Sequence, residues 1–327
     1  MKELKNLSDF NKDTLTDIIR NLSEAKRIFN SEAQFQFELG WKIYEEFDCE
    51  VKFEELSRII PKDGKTRSKK DYTDLILEKG NLRIAIELKD KTATYEDEGN
   101  NILLKNHGAV DLGRYDYMWD IHRVQVLTGR EKEGEVRMPC NKGYAVILTK
   151  EKSYWEGKDP TGIDREFLIG ENIKITRNEH QWWSLNENGN AKRATKDDLS
   201  SYPTTVNKNT SRTRPIEITE DHKCEWIDYC SLKKMVRKKE IEVPFKFMVV
   251  DVKCSDEWEI FIIKDIMKKR IAKQIKEKYG FRWVKCVDLA ISASWYNREY
   301  TKEELESLDE DELFKEVCNE IDNNVIM

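Results

Sequence analysis

The stretch that most limits how this chain can fold runs from Tyr72 to Lys89, Tyr-Thr-Asp-Leu-Ile-Leu-Glu-Lys-Gly-Asn-Leu-Arg-Ile-Ala-Ile-Glu-Leu-Lys. Two runs rich in branched apolar residues flank a Gly-Asn turn signal, which reads as a β-hairpin with strands Tyr72–Leu77 and Leu82–Lys89. If Gly80 and Asn81 form a two-residue turn, Leu77 faces Ile84, Leu75 faces Ile86 and Asp74 faces Glu87. Opposed residues project to the same side of a sheet, and side chains alternate along a strand. Asp74, Glu87 and Lys89 therefore share one face, while Ile84, Ile86 and Leu88 fill the other. A turn at Lys79-Gly80 would set Asp74 against Ala85 instead and loosen the group without dispersing it.

Two carboxylates so close repel each other, which raises a pKa and destabilises the fold. A hard divalent cation resolves the conflict, and Mg²⁺ favours one or two carboxylates together with waters and a substrate phosphate. Lys89 beside them can orient or help deprotonate an attacking water, or stabilise charge on the phosphate. The group describes metal-assisted phosphodiester hydrolysis. The bland alternative is a solvated strand face carrying a salt bridge.

Asp74 followed by Ile86-Glu87-Leu88-Lys89 resembles the motif of the PD-(D/E)xK nuclease superfamily, which includes many restriction endonucleases, Holliday-junction resolvases and recombination exonucleases. The order of elements around it, helix, strand, Asp strand, Glu-x-Lys strand, helix, strand, is similar to that superfamily's core. It spans roughly Ser31 to Lys150, completed by Phe245–Val252. The resemblance implies metal binding by Asp74, Glu87 and the Leu88 carbonyl, and a catalytic Lys89. Thr73 stands where the family has Pro. Many such enzymes add a Glu from the first helix, and Glu32 and Glu38 are the candidates here. Phe35, Leu39, Ile43 and Phe47 define the inward face of that helix, and Glu32 falls within it, whereas Glu38 lies more than a right angle away. Glu32 equally suits a helix N-terminus on electrostatic grounds alone. The resemblance further implies DNA as partner, Mg²⁺ as cofactor with Mn²⁺ as a substitute, and a homodimer with one site per strand.

The rest of the chain fits an α/β fold, a central mixed β-sheet flanked by helices. Its 327 residues suit one core with a large insertion, or two domains. Residues 1–30 read as a helical arm, and Ser31 caps the helix that follows. Val51–Ile60 is a strand, Val110–Leu127 a helix and Tyr144–Leu148 a strand buried on both faces. Residues 151–242 are polar and mostly irregular, an insertion where specificity would reside. Phe245–Val252 returns as a strand and Glu257–Lys278 as a helix. Trp283–Ile291 reads as one more strand, within the 243–295 segment that completes the core, and 296–327 as an acidic helical tail.

The net charge of −6 confines any nucleic-acid site to a local basic patch. Lys65, Arg67, Lys69 and Lys70, just before the Asp74 strand, and Arg123 on the later helix are its candidates. Asp116 and Asp120 have the spacing to pair with Arg123 or Lys89. The helical stretch Lys268–Lys278 reads as a solvated basic face, and Trp182-Trp183 as core. No phosphate-cradling glycine loop is present, so no nucleotide cofactor is expected. Cys224, Cys230 and His222 lack a fourth zinc ligand. With no apolar leader and no membrane-length run, a cytoplasmic protein with reduced thiols is expected. Rival readings are a DNA-binding or assembly protein that keeps the fold without cleaving, a nuclease for RNA or branched DNA, and an interaction protein working through its acidic tail.

Overall fold

The computed structural model describes residues 4–25, 28–60, 69–92, 95–97, 102–104, 109–130, 133–157, 161–186, 188–195, 198–199, 211–236 and 239–279, with single positions and short pieces between 304 and 319. Lys65 and Arg67, the Trp283–Ile291 stretch and most of the acidic tail lie outside the described residues.

A mixed seven-stranded sheet forms the centre. Its strands are β1 (Glu50–Ile60), β2 (Lys69–Lys79), β3 (Leu82–Lys91), β4 (Glu135–Val136), β5 (Lys142–Thr149), β6 (Ile227–Val236) and β7 (Lys239–Lys253), in the order β6-β7-β5-β3-β2-β1-β4. Within this sheet only β3 and β5 pair in parallel. A parallel pair needs a crossover, and α3 (Val110–Leu127) lies within it. The helix ends coincide with those read from sequence.

The β2–β3 hairpin has the register that a Gly80-Asn81 turn requires: Lys79 pairs with Leu82, Leu77 with Ile84 and Leu75 with Ile86. Gly80 takes φ +59°, which glycine adopts without a Cβ clash. Strand alternation then sorts the core into two layers. Leu75, Leu77, Ile84, Ile86 and Leu88 join α1 (Lys12–Glu24) and α2 (Glu32–Glu46) on one face. Ile76 and Ala85 face Leu127 of α3 on the other.

α2 begins as its sequence dictates. Ser31 is extended and its side chain accepts the Gln34 amide, capping the first turn. Phe35, Leu39 and Ile43 are fully buried.

Residues 151–226 hold short two-stranded pieces, pairing Lys174–Ile175 with His222–Lys223, Asn178–His180 with Ile216–Ile218, and Trp183–Leu185 with Ala191–Arg193. This segment shares a core with α3: Phe167, Trp182, Ile216 and Ile218 cluster with Tyr115, Met118 and Ile121. One boundary differs from the sequence reading. β6, inside the region read as a 151–242 insertion, pairs along β7 and belongs to the central sheet. It is an edge strand with Lys, Asp and Ser among its residues, so its sequence lacks the continuous apolar run that marks a central strand.

α4 (Asp256–Tyr279) buries Ile262, Ile266, Ile271 and Ile275. Its basic residues are partly tied to the fold. Lys269 donates to the Arg137 carbonyl at 2.6 Å, and Arg270 to that of Gly80 at 2.5 Å. The Gly80 turn is six residues from Asp74, about 20 Å along an extended strand. No described helix is long and apolar enough to cross a membrane.

Candidate active site

Asp74 stands where two ladders open. Pairing of β1 with β2 includes Phe53–Leu75 and Glu55–Thr73 but omits Glu54 and Asp74. Pairing of β2 with β3 ends at Leu75–Ile86. Side chains take over from the ladders at this point. The Asp74 carbonyl accepts from Gln36 Nε2 at 2.6 Å, and Asp74 Oδ2 accepts from the Leu88 amide at 2.6 Å. Thr73 is fully buried and donates through Oγ1 to Ser57 Oγ at 2.7 Å.

Glu87, on the next strand, has no exposed surface. Arg123 Nη1 lies 3.0 Å from its Oε2, yet neither carboxylate oxygen has a hydrogen-bond partner of acceptable geometry. Such a group is costly to bury and calls for a cation or a functional reason. Lys89 Nζ lies 3.1 Å from Asp120 Oδ2 and 3.7 Å from Glu32 Oε1, and it donates to the Leu88 carbonyl at 3.1 Å. Glu32 reaches this cluster: its Oε2 accepts the Asp90 amide at 2.9 Å.

The electrostatics follow from burial and these neighbours. Burial raises the Asp74 pKa, opposed by Lys89, the Leu88 amide and Arg123. Burial lifts Glu87 well above the carboxylate range, with Arg123 opposing and Asp74 and Asp120 adding to the rise. Asp120 is pushed by burial to about 6, against the pull of Lys89 and Arg123. Burial alone would depress the Lys89 ammonium, but Asp120, Glu32, Asp74 and Glu87 outweigh it and hold the pKa above its ordinary value.

Glu32, Lys89, Asp120 and Arg123 line a cleft of about 570 Å³ that Lys69, Lys91, Trp119 and Arg212 also border; Asp74 and Glu87 lie behind its lining residues and are not among them. Lys69 is exposed at its rim, and Lys70 follows it on the same strand. Arg123, which the sequence places among DNA-contacting cations, is turned to the protein instead. It meets Glu87, Asp120 at 3.4 Å and Asp71 at 3.4 Å, and donates to the Tyr72 carbonyl. The surplus of buried carboxylates claims the guanidinium, whose planar fork suits several acceptors at once. Arg114 is likewise structural, paired with Asp164.

Sequence reasoning missed three contributors. Asp71 is buried, and Arg58 Nε donates to it at 3.1 Å. Gln36 sits one turn after Glu32 on α2, a spacing that put it in reach of Asp74. Arg212 comes from the insertion, makes a two-pronged contact with Asp116 at 2.6 and 2.8 Å, and no local pattern announced it. Trp182 Nε1 donates to the Arg212 carbonyl, and the Tyr115 hydroxyl to that of Arg214, fastening this segment over α3. Arg212 thereby brings the insertion to the edge of the cleft.

Among the described residues, no three His, Cys, Asp or Glu side chains converge as a ready metal cage. The site offers two carboxylates, Asp74 and Glu87, and the Leu88 carbonyl that follows Glu87 in sequence. That is a donor set for a Mg²⁺ that keeps several waters. The buried Glu87 carboxylate without hydrogen bonds fits a cation. Comparison with family models, with curated proteins and with solved structures finds no match for the chain.

Proposed function

We propose that this chain is a Mg²⁺-dependent deoxyribonuclease, an endonuclease with a core of the PD-(D/E)xK type. The observation that carries the reading is Glu87: a fully buried carboxylate without hydrogen bonds, near Asp74 and on the same strand as Lys89, which lines an open cleft. A fold retains such a destabilising group where its charge has work to do.

Asp74, Glu87 and the Leu88 carbonyl would hold the metal. Bound there, the ion would act as a Lewis acid toward a phosphoryl oxygen and lower the pKa of a coordinated water. Lys89 is kept protonated by its carboxylate neighbours, so its role is that of a cation stabilising charge on the phosphate rather than a base. Asp120 and Glu32 hold its ammonium in place. Lys69 and Lys70, with Lys65 and Arg67 outside the described residues, would contact the DNA backbone, whose phosphates supply most of the affinity.

A second reading has one observation in its favour. Arg123 already supplies Glu87 with a positive charge at 3.0 Å, as in a protein that binds DNA without cleaving it. The test is incubation with supercoiled, linear and single-stranded DNA, and with RNA, in Mg²⁺, Mn²⁺ or EDTA. Metal-dependent nicking of supercoiled DNA is the expected result. Salt-sensitive binding with no cleavage in either metal would favour the second reading.

A further inference from the structure

Glu54 adopts φ +51°, in the left-handed region that Asn172 also occupies at +64°. In this conformation a side chain crowds its own backbone, and Asn and Asp tolerate it better than Glu. Glu54 is exposed, so packing does not impose the conformation. Strain of this kind concentrates where a particular geometry is needed.

The geometry served here is that of Asp74. Glu54 lies opposite Asp74, at a position that the β1–β2 pairing skips between Phe53–Leu75 and Glu55–Thr73. Its Oε1 accepts from Gln36 Nε2 at 3.2 Å, and the same nitrogen donates to the Asp74 carbonyl at 2.6 Å. Both partners are acceptors, so the amide nitrogen and not the oxygen faces them, and its two protons are both used. Gln36 is nearly buried, at 8 % exposure. Asp74, outside the registers of both neighbouring strands, relies on this contact to fix its main chain, while Leu88 fixes its carboxylate.

We propose that Gln36 and Glu54 form a positioning bracket that sets Asp74 for metal binding. The inference rests on the metal-dependent reading of the site. Gln36 and Glu54 touch neither metal nor substrate; they act through the Asp74 main chain. A functional carboxylate must be held within about 0.5 Å of its working position, and supporting contacts supply that hold. Outer contacts of this kind typically alter metal affinity about tenfold to a hundredfold.

The test is a Mn²⁺ binding isotherm read by electron paramagnetic resonance on the full chain, beside thermal unfolding. Gln36→Met keeps the length of the side chain and removes the donor; it should weaken Mn²⁺ about tenfold or more. Glu54→Gly accepts the positive φ without strain, so it should fold at least as well as the wild type, yet weaken Mn²⁺ because Gln36 loses its anchor. Glu54→Gln retains an acceptor oxygen and should restore wild-type affinity. Equal Mn²⁺ affinity in the wild type, Gln36→Met and Glu54→Gly would overturn the bracket alone. A wild type that binds no Mn²⁺, or binds it as well after Asp74→Asn, would overturn the metal reading and the bracket with it.

Discussion

Asp74 Oδ2 accepts the Leu88 amide proton at 2.6 Å, so a side chain on β2 closes the gap where β2 and β3 part. The carboxylate thereby has a structural task as well as a chemical one, and the two can be separated. Asp74→Asn retains an acceptor oxygen for the amide but not the charge. It should lower cleavage at least about a hundredfold while unfolding within about 1 kcal/mol of the wild type. Asp74→Ala leaves the buried amide unpaired and should lose a further 1–3 kcal/mol or so. Single-turnover rates and denaturant melts of the two variants check this.

Glu87 gives the opposite balance. Its ionised form is buried with only the Arg123 contact to offset desolvation. Glu87→Gln should abolish cleavage and leave stability unchanged or slightly higher, because a neutral amide is cheaper to bury than a carboxylate. Arg123→Met should be strongly destabilising, by about 3–5 kcal/mol, since Asp71, Asp120 and Glu87 all lose the guanidinium they share. In the double variant only the share owed to Glu87 should be recovered, since Asp71 and Asp120 still lack the guanidinium. A double-mutant cycle in urea reads the coupling directly.

His222 sets a pH prediction away from the site. It is 8 % exposed, its Nε2 has no hydrogen-bond partner, and burial lowers its pKa to about 4. The folded state prefers the neutral ring. Its contribution to stability is therefore full above the unfolded value of about 6.5 and is lost as pH falls from there toward 4. Integrated over that window the loss is on the order of 3 kcal/mol at most. His222→Leu should flatten the fall of the melting temperature between pH 6.5 and 4. Parallel curves for the two proteins would contradict this.

Lys69 is exposed at the cleft rim and no ion pair holds it among the described residues. Lys69→Ala should weaken DNA binding in EDTA about equally for all sequences and reduce the salt slope by roughly one. Fluorescence anisotropy at several salt concentrations measures both.

The parts of this site that sequence made legible are those fixed by local rules. A Gly-Asn turn sets the hairpin register, and with it the shared face of Asp74, Glu87 and Lys89. A Ser cap and a four-residue apolar repeat set α2, and so place Glu32 near the strand ends. The parts that were hidden depend on long-range choices. Arg123 and Glu87 are far apart in sequence, and an Arg on a helix face gives no sign of which carboxylate will claim it. Glu54 sits in a charged stretch where nothing marks a positive φ. Arg212 reaches the cleft only because Trp182 and Tyr115 hold its segment over α3. β6 is an edge strand whose mixed polarity resembles that of the loops before it.

The most direct test of the central claim is the single-turnover rate of nicking of supercoiled DNA in Mg²⁺ by wild type and Lys89→Ala, prepared side by side and matched for folding. Lys89 is predicted to stabilise charge that develops on the phosphate, so its removal should slow nicking at least about a hundredfold while metal binding persists. Equal rates, or no metal-dependent nicking by the wild type, would contradict the assignment of Asp74, Glu87 and Lys89 as a catalytic group.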